Sequence, residues 1–281
     1  MKFDEETVVV TGANGFVGRA LLERLKQTDL RTVAVTRSAV ELPAKRVITG
    51  TLDSLSAYAA IKAADYVVHL AGVFFSIGKD SYQSANFGTT EAVAKALKDG
   101  QTKRVLFLSH VGASEDSKNI YLRTKALAER SLMSTGKEVV VFRCTHIIGP
   151  PKDPGPFARS LLARPGKKAG VMGNGKQRIA PLYVDDVISA LLSAMKGGLP
   201  GVYELAGPEQ MSMDDLIRLL NRNPDLPISH TPNGVSRALG FLLPFLPAAF
   251  VDVILRDCVG DPKKAKSTFG LELTPLRKVW K

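Results

Sequence analysis

The sequence has few cysteines and no long uninterrupted apolar run. Its 281 residues include only two cysteines, Cys144 and Cys258, which excludes a disulfide framework and a cysteine-rich zinc site. The charge-free stretch Ala238–Val251 holds 14 residues and is interrupted by Pro244 and Pro247. A membrane-spanning helix needs about 20 apolar residues, so we expect this stretch to form a hydrophobic lid or a contact between copies, with a peripheral membrane contact as the alternative.

What is present is the composition of a folded globular protein. Hydrophobic residues make up 45% of the chain and charged residues 23%, which is too apolar for a disordered protein. The length predicts one large domain, or one domain with a small partner. The start, Met1–Glu6, has no basic or apolar leader. On that ground we expect a cytoplasmic protein without a transmembrane segment.

The charge is one-sided. Lys and Arg number 38 against 27 Asp and Glu, which leaves a net charge of +11 and indicates an anionic partner. The range 154–184 alone holds six basic residues and no acidic one. This stretch is interpreted either as a solvated basic face or as a surface that meets a phosphorylated small molecule. Because aromatic and basic residues are not interleaved, we predict no nucleic-acid partner.

Short β-branched runs alternate with helical patterns in the N-terminal half. Six runs have the length and composition of buried strands: 7–10, 32–36, 46–48, 66–70, 105–109 and 138–143. The alternation predicts an α/β fold, a doubly wound Rossmann-type parallel sheet with helices on both faces.

A glycine motif follows the first of these strands, in the run Thr11–Gly18. Gly12 permits a tight turn, Gly15 lets a pyrophosphate approach the backbone, and Gly18 lets helix and strand pack closely. The phosphates would lie at the helix N-terminus, where unpaired N–H groups and the dipole favour anions. A plain glycine-rich turn is the competing interpretation. The cofactor-binding candidates of this motif are Gly12, Asn14, Gly15, Phe16, Val17 and Gly18.

The dinucleotide site is predicted in the first half of the chain. The prolines that follow Gly149 indicate a domain boundary there. We expect a dinucleotide-binding domain over 1–155, with its sheet completed by 179–206. The ranges 156–178 and 207–281 would form a small C-terminal substrate-binding lobe.

Arg37 stands at the end of the second strand, where NAD enzymes place an acid on the ribose 2′-hydroxyl. An arginine accommodates a 2′-phosphate instead, so the sequence favours NADP(H), with NAD(H) as the alternative. A solvated arginine at a strand end is the competing interpretation.

Tyr121 and Lys125 are separated by four residues and share one face of a predicted helix. A cation beside a phenol favours its ionised form, and we therefore expect Lys125 to lower the pKa of Tyr121. Such a pair can exchange a proton with a substrate oxygen while a nicotinamide exchanges hydride.

These motifs resemble the extended or atypical short-chain dehydrogenases/reductases, the NAD(P)-dependent epimerase/dehydratase family. The resemblance covers nearly the whole chain and includes the turn His69–Gly72 after the fourth strand. It implies that Tyr121 and Lys125 are catalytic and also contact the cofactor. The further cofactor contacts that it implies are Thr51, Leu52, Leu70, Ala71 and Gly72.

A narrower resemblance links Ser109–Ala113, Tyr121–Lys125 and Arg256–Pro262 to the branch that includes the nucleotide-binding accessory subunit of respiratory complex I. In that branch the mitochondrial member binds NADPH as a structural subunit. The resemblance therefore implies cofactor binding and leaves open whether the protein is a catalyst or an assembly module.

The chain departs from the epimerases of the family at the substrate. His110 occupies the position of the usual Ser or Thr, which leaves Ser109, one position earlier, as the nearest hydroxyl. Either residue could polarise a substrate oxygen. Arg178 matches an arginine that grips a substrate phosphate in family epimerases, with a solvated arginine as the alternative. The pair Asp185 and Asp186 is expected to begin a helix, and we predict no metal site.

The function predicted from these residues is an NADP(H)-dependent oxidoreductase in which Tyr121 is the acid/base. Lys125 would tune Tyr121 and hold the cofactor, and Ser109 or His110 would polarise the substrate oxygen. The substrate would be a small molecule, anionic or a nucleotide sugar. The alternatives are a nucleotide-sugar epimerase or dehydratase that recycles its cofactor, and a non-catalytic NADPH-binding assembly module. A homo-oligomer is also compatible with the sequence.

Overall fold

The computed structural model describes residues 6–76 and 81–281. A seven-stranded sheet forms its centre, with strands β1 (Thr7–Thr11), β2 (Arg31–Thr36), β3 (Arg46–Thr49), β4 (Tyr66–His69), β5 (Arg104–His110), β6 (Glu138–Cys144) and β11 (Gly201–Leu205). The order is β11-β6-β5-β4-β1-β2-β3, and all neighbours are parallel. The chain reverses its direction of strand addition between β1 and β4. The prediction of a doubly wound α/β sheet is confirmed.

Side chains of each strand alternate between two apolar layers, because successive residues of a strand point to opposite faces. Val8 and Val10 of β1 belong to one buried cluster and Val9 to the other. Helices cover both faces: α1 (Phe16–Leu25) and α6 (Val184–Lys196) on the first, and α2 (Leu55–Ala63), α3 (Thr89–Lys98) and α4 (Ile120–Met133) on the second. A π-helix, Gln83–Gly88, runs directly into α3.

Helix α10 (Lys263–Phe269) also packs on the first face of the sheet, where its Ala265 and Phe269 join the same buried cluster as Val8. The other elements build a smaller unit at the carboxyl ends of the strands. They are β7 (Ile147–Ile148), α5 (Gly155–Ser160), β8 (Ala169–Met172), β9 (Arg178–Ile179), β10 (Leu182–Tyr183), β12 (Met211–Ser212), α7 (Met213–Leu220), β13 (Ile228–Thr231), α8 (Asn233–Leu242), α9 (Ala248–Ile254) and α11 (Leu276–Val279). A third buried cluster, which includes Ile179, Leu216 and Trp280, holds much of this unit together. The Trp280 indole N–H donates to the Gly149 carbonyl at 2.9 Å and ties the C-terminus to the sheet side.

The sequence led us to expect a cytoplasmic protein without a transmembrane segment, and the structure bears on the second expectation only. Of the segment Met1–Glu6, on which the cytoplasmic expectation depends, only Glu6 lies within the described residues. No helix in the described ranges is long and apolar enough to cross a bilayer.

Candidate active site

The glycine turn lies where β1 ends and α1 begins, at the carboxyl edge of the sheet. Gly12 has a φ of +65°, and a Cβ added there would lie 2.6 Å from the backbone N of Ala71. A Cβ at Gly18 would lie 2.5 Å from the carbonyl oxygen of Gly12. Both positions therefore exclude larger residues on steric grounds. Gly15 caps α1 without a side-chain hydrogen bond, which leaves first-turn N–H groups for a ligand.

Beside this turn is a cavity of about 250 Å³, which we call the glycine-loop cavity. Most of the predicted cofactor contacts line it: Gly12, Asn14, Gly15, Arg37, Thr51, Leu52, Leu70, Ala71 and Gly72. Among the described lining residues there is no Asp or Glu, and Arg37 is the charged side chain. A backbone-lined cavity beside an uncapped helix N-terminus suits the pyrophosphate of a dinucleotide.

A second cavity of about 290 Å³ adjoins the first, and we call it the tyrosine cavity. The two cavities share several lining residues, among them Gly12, Gly15 and Gly72. The predicted residues that line the tyrosine cavity are Gly12, Gly15, Phe16, Val17, Gly18, Leu70, Gly72, Ser109, His110, Tyr121 and Lys125. The fold thus brings residues from the turn after β1, from α1, from β5 and from α4 to one continuous cleft.

Tyr121 and Lys125 are both buried on the first turns of α4. The Lys125 ammonium donates to the Leu108 carbonyl at 2.5 Å and lies 4.2 Å from the centre of the Phe107 ring. Burial lowers the pKa of Lys125 to about 8 and raises the pKa of Tyr121 well above its usual range. The expectation that Lys125 lowers the pKa of Tyr121 is therefore wrong, because desolvation of the phenolate outweighs any attraction to the ammonium.

Two interactions fix the helix that carries this pair. The Asn119 side chain caps α4 by accepting from the Tyr121 N–H at 3.0 Å, and its amide donates to the Ala249 carbonyl at 2.9 Å. At the other end, Arg143 of β6 makes a two-pronged salt bridge to buried Glu129. The start of α4 is thereby connected to α9 and its middle to the sheet.

The hydroxyl of Ser109 is buried and has no hydrogen-bond partner within the described residues. It lines the tyrosine cavity, and a ligand oxygen is the partner that such a group lacks. The neighbouring His110, unlike Ser109, has a hydrogen-bond partner: its Nδ1 is 2.6 Å from the Val111 carbonyl oxygen. Its ring centroid lies 5.5 Å from that of Tyr121. Burial lowers the pKa of His110 to about 4, so the imidazole is neutral.

His146 was missed by the sequence reasoning, although it lines the tyrosine cavity. It is stacked on Phe157 with ring centroids 4.1 Å apart, and its Nε2 is buried without a described partner. Burial lowers its pKa well below the usual value. Only its position directly after β6, at the carboxyl edge of the sheet, could have indicated a site residue.

The ligand atoms of His110, His146 and Cys258 all lie within 4.8 Å of one another. Burial raises the pKa of the Cys258 thiol and of the Cys144 thiol to about 12. Both thiols are therefore protonated at neutral pH and pack as small buried side chains.

The Asp185–Asp186 pair lies in the first turn of α6. The Asp186 carboxylate accepts from the N–H and hydroxyl of Thr274 at 2.7 and 2.9 Å, which fastens the C-terminal segment to α6.

Arg178 does not line any of the cavities described here. Its side chain is 63% exposed and its Nε donates to the Asp257 carboxylate at 3.0 Å. The expectation that Arg178 grips a substrate phosphate is not met, because Asp257 already neutralises the guanidinium at the surface. The six basic residues of 154–184 thus give the described cavities no cationic wall.

Parallel sheet, glycine turn, open helix N-terminus and a cleft at the switch between β1 and β4 define a dinucleotide-binding α/β protein. The model of the NAD dependent epimerase/dehydratase family matches residues 8–206. The chain belongs to this family, as the motifs predicted.

Individual relatives span several activities. The chain is 27% identical over 226 residues to NADH dehydrogenase [ubiquinone] 1 alpha subcomplex subunit 9, mitochondrial, of Arabidopsis thaliana, covering 75% of this chain and 56% of the relative. It is 28% identical over 259 residues to UDP-2-acetamido-2,6-beta-L-arabino-hexul-4-ose reductase of Pseudomonas aeruginosa, covering 85% and 65%. The chain thus spans between half and two thirds of these relatives' lengths.

Among solved structures, MoeE5 in complex with UDP-glucuronic acid and NAD superimposes with a TM-score of 0.79. The match covers 98% of this chain and 96% of that one at 24% identity, a level that establishes the common fold.

Proposed function

We propose that this protein is an NADP(H)-dependent oxidoreductase that interconverts a carbonyl and a hydroxyl group. The observation that carries the proposal is the position of Ser109, Tyr121 and Lys125 on one wall of the tyrosine cavity. That cavity is continuous with the glycine-loop cavity, so a dinucleotide lying in both would end beside these three side chains. A reductase among the relatives and the NAD in MoeE5 support the same reaction class.

The residues of the glycine-loop cavity fit the phosphate-bearing part of the cofactor. Gly12 and Gly15 leave backbone room for a pyrophosphate, and the uncapped N-terminus of α1 supplies N–H donors. Arg37 would meet a 2′-phosphate, and Thr51 and Leu52 would flank the base. The absence of an acid from the described lining favours NADP(H) over NAD(H).

In the tyrosine cavity each side chain has a distinct task. The raised pKa keeps Tyr121 protonated, so its phenol can donate a proton to a carbonyl oxygen. The unpartnered Ser109 hydroxyl would hold the same oxygen. Lys125, charged at neutral pH with a pKa of about 8, would bond ribose hydroxyls and favour the negative charge that develops on the phenol. The nicotinamide, when bound, supplies or accepts the hydride.

Two other functions remain as alternatives. An epimerase or dehydratase would use the same three residues, but the hydride taken from the substrate would be returned to the oxidised intermediate, so that the cofactor is regenerated and stays bound. A non-catalytic NADPH-binding module is favoured by the likeness to the complex I subunit. The catalytic pair and the free Ser109 hydroxyl argue against it, because a structural protein needs neither.

The test compares Tyr121→Phe with Lys125→Met. We expect Tyr121→Phe to keep NADPH affinity within about twofold and to lose at least about a hundredfold in carbonyl reduction, since it removes a proton donor needed in the transition state. Lys125→Met should weaken NADPH binding as well. NADPH fluorescence titration measures affinity, and NADPH oxidation with a panel of ketones measures turnover.

Tyr203→Phe is the matched control, because Tyr203 is also buried but lies on β11 and donates to the Leu199 carbonyl. If Tyr121→Phe and Tyr203→Phe reduce ketones at equal rates, the catalytic assignment is wrong. NADPH binding with no turnover of any substrate in the wild type would favour the assembly module. Cofactor that survives purification would favour the epimerase.

A further inference from the structure

A third cavity lies beside the tyrosine cavity, and we call it the apolar cavity. Its volume is about 650 Å³, which is in the usual range for small-molecule sites. The described residues of its wall include four phenylalanines, two methionines and four aliphatic side chains, and no charged residue. Ser160 supplies a hydroxyl, but this group donates to the Phe157 carbonyl at 2.7 Å and is therefore already used.

The apolar cavity opens onto the reacting groups. Val73, Phe74 and Pro156 line both it and the tyrosine cavity. The Phe74 ring lies 5.2 Å from the ring of Tyr121 on one side and 5.2 Å from that of Phe250 on the other. A molecule whose oxygen meets the Tyr121 phenol would therefore extend its other atoms past Phe74 into an apolar space.

The charge-free segment Ala238–Val251 has a part in this wall. Its Pro247 begins α9, and Phe250 and Ile254 of that helix line the apolar cavity. Of the segment for which the sequence predicted a hydrophobic lid, Phe250 forms part of the wall of the apolar cavity. The Asn119 amide, which donates to the Ala249 carbonyl, holds the wall against the helix that carries Tyr121.

A phosphorylated substrate suits this region poorly. Among the described residues, Lys125 is the charged side chain of the tyrosine cavity and the apolar cavity has none. Moving a phosphate from water into such a space without a cationic partner is unfavourable, whereas hydrocarbon gains free energy there. Arg178, which could have supplied the charge, pairs with Asp257 at the surface.

We propose that the apolar cavity binds the hydrocarbon part of the substrate, so that the protein acts on an apolar ketone or the corresponding alcohol. The inference rests on the proposed function for the reaction at Tyr121. The ligand class of the cavity is nevertheless measurable as binding alone.

The first experiment titrates the full-length protein with methyl ketones of increasing length, from butanone to undecanone, by calorimetry with and without NADP⁺. No reduction occurs with the oxidised cofactor, so the titration reports binding. Each added methylene should tighten binding about fourfold until the cavity is full. UDP-glucose, the phosphorylated probe, should neither bind at comparable concentration nor displace undecanone.

The second experiment fills the cavity. Gly170 lines it, and a Cβ added at Gly170 meets no atom within 4 Å, so a side chain can begin there without a clash at the backbone and extend into the cavity. Gly170→Leu should weaken undecanone binding about tenfold or more and leave the affinity for butanone and NADPH unchanged. Gly234→Leu is the control, because Gly234 is exposed on α8, also has open space around its Cβ, and does not line the cavity.

The outcomes separate the two proposals. Affinity that does not depend on chain length, displacement of undecanone by UDP-glucose, or equal binding by Gly170→Leu and Gly234→Leu would overturn the hydrocarbon site. Chain-length-dependent binding without NADPH oxidation would support the site while contradicting the oxidoreductase. If butanone were reduced as efficiently as undecanone, the oxidoreductase would be supported and the hydrocarbon site would be contradicted.

Discussion

The glycine-loop cavity and the tyrosine cavity adjoin each other but are built in different ways. The first is lined by residues from Gly12 to Thr89, many of them glycines or backbone groups of strand ends. The second draws on residues from Gly12 to Phe157, and its wall consists of aromatic and titratable side chains. Recognition of phosphate needs N–H donors that almost any helix start supplies, whereas proton transfer needs particular side chains in a dry environment.

The electrostatics of the two cavities follow from this difference. Arg37 at the glycine-loop cavity can meet charge in a partly open site. In the tyrosine cavity burial dominates: it keeps His110 and His146 neutral and Tyr121 protonated, and it lowers the pKa of Lys125 to about 8. The comparison teaches that burial shifts the titratable groups of the tyrosine cavity, whereas the charged Arg37 of the glycine-loop cavity is exposed to solvent.

The largest effect that we expect is a loss of folding stability in acid, caused by protonation of His110 in the tyrosine cavity. Folding lowers the pKa of His110 from 6.5 to about 4, so between these values the unfolded chain binds a proton that the folded protein does not. The resulting stability is fully present above pH 6.5 and is lost as the pH falls to 4. His110 alone contributes roughly 3 kcal/mol to this loss.

Denaturant unfolding at pH 7.5 and pH 4.5 measures the loss. His110→Asn retains an amide that can donate to the Val111 carbonyl but does not titrate, and it should reduce the pH dependence. His230→Asn is the control, since His230 is exposed beside Asp214. An unchanged slope in His110→Asn would contradict the assignment.

Steric exclusion in the glycine turn gives the next effect. An alanine at Gly18 would bring its Cβ to 2.5 Å from the Gly12 carbonyl oxygen, so backbone must move, at a cost of about 3 kcal/mol of stability together with loss of NADPH binding. At Gly15 the added Cβ lies 3.1 Å from the same oxygen and faces the proposed phosphate path. Gly15→Ala should therefore melt near the wild-type temperature and still bind NADPH poorly.

Thermal unfolding and NADPH titration of both variants check this pair. Equal melting temperatures for Gly18→Ala and Gly15→Ala would show that close packing at Gly18 is not what the turn requires.

The smallest effect concerns the charge at the glycine-loop cavity. Arg37→Asp removes a charge-assisted contact to the 2′-phosphate and should lower the preference for NADPH over NADH roughly thirtyfold, or about 2 kcal/mol. Arg24→Asp is the control, because Arg24 is exposed in the last turn of α1 and does not line the glycine-loop cavity. Equal affinities for both cofactors in the wild type, unaltered by Arg37→Asp, would exclude the NADP(H) preference.

The local sequence pattern was sufficient to predict the parallel sheet and the glycine turn of the glycine-loop cavity. Val8, Val9 and Val10 form a buried strand because three successive β-branched residues fit a position between two helical layers. Gly12 is favoured locally by its positive φ, and Gly18 by its contacts with Gly12 and Ala13; contacts with Leu70 and Ala71 add a constraint at Gly12 that is distant in sequence. The local constraints leave a signature that can be read along the chain.

The sequence did not predict the electrostatics of the catalytic pair. The spacing of Tyr121 and Lys125 places them on one helix face, but their pKa values depend on how deeply α4 is buried. That depth is set by the Arg143–Glu129 bridge and by the capping contact from Asn119 to α9. Neither is visible in the spacing of the pair.

The sequence by itself determined the fold class, the family, the glycine turn and the identity of the Tyr–Lys pair. Only the tertiary structure decided which charges reach the cleft: Arg178 is paired with Asp257, 79 residues away, and Phe250 packs against Phe74, which is still more distant in the sequence, to form an apolar wall. The physical reason is that a strand or a glycine turn is specified by neighbours in the chain. An ion pair or a cavity wall is specified by the packing of segments that are distant in sequence.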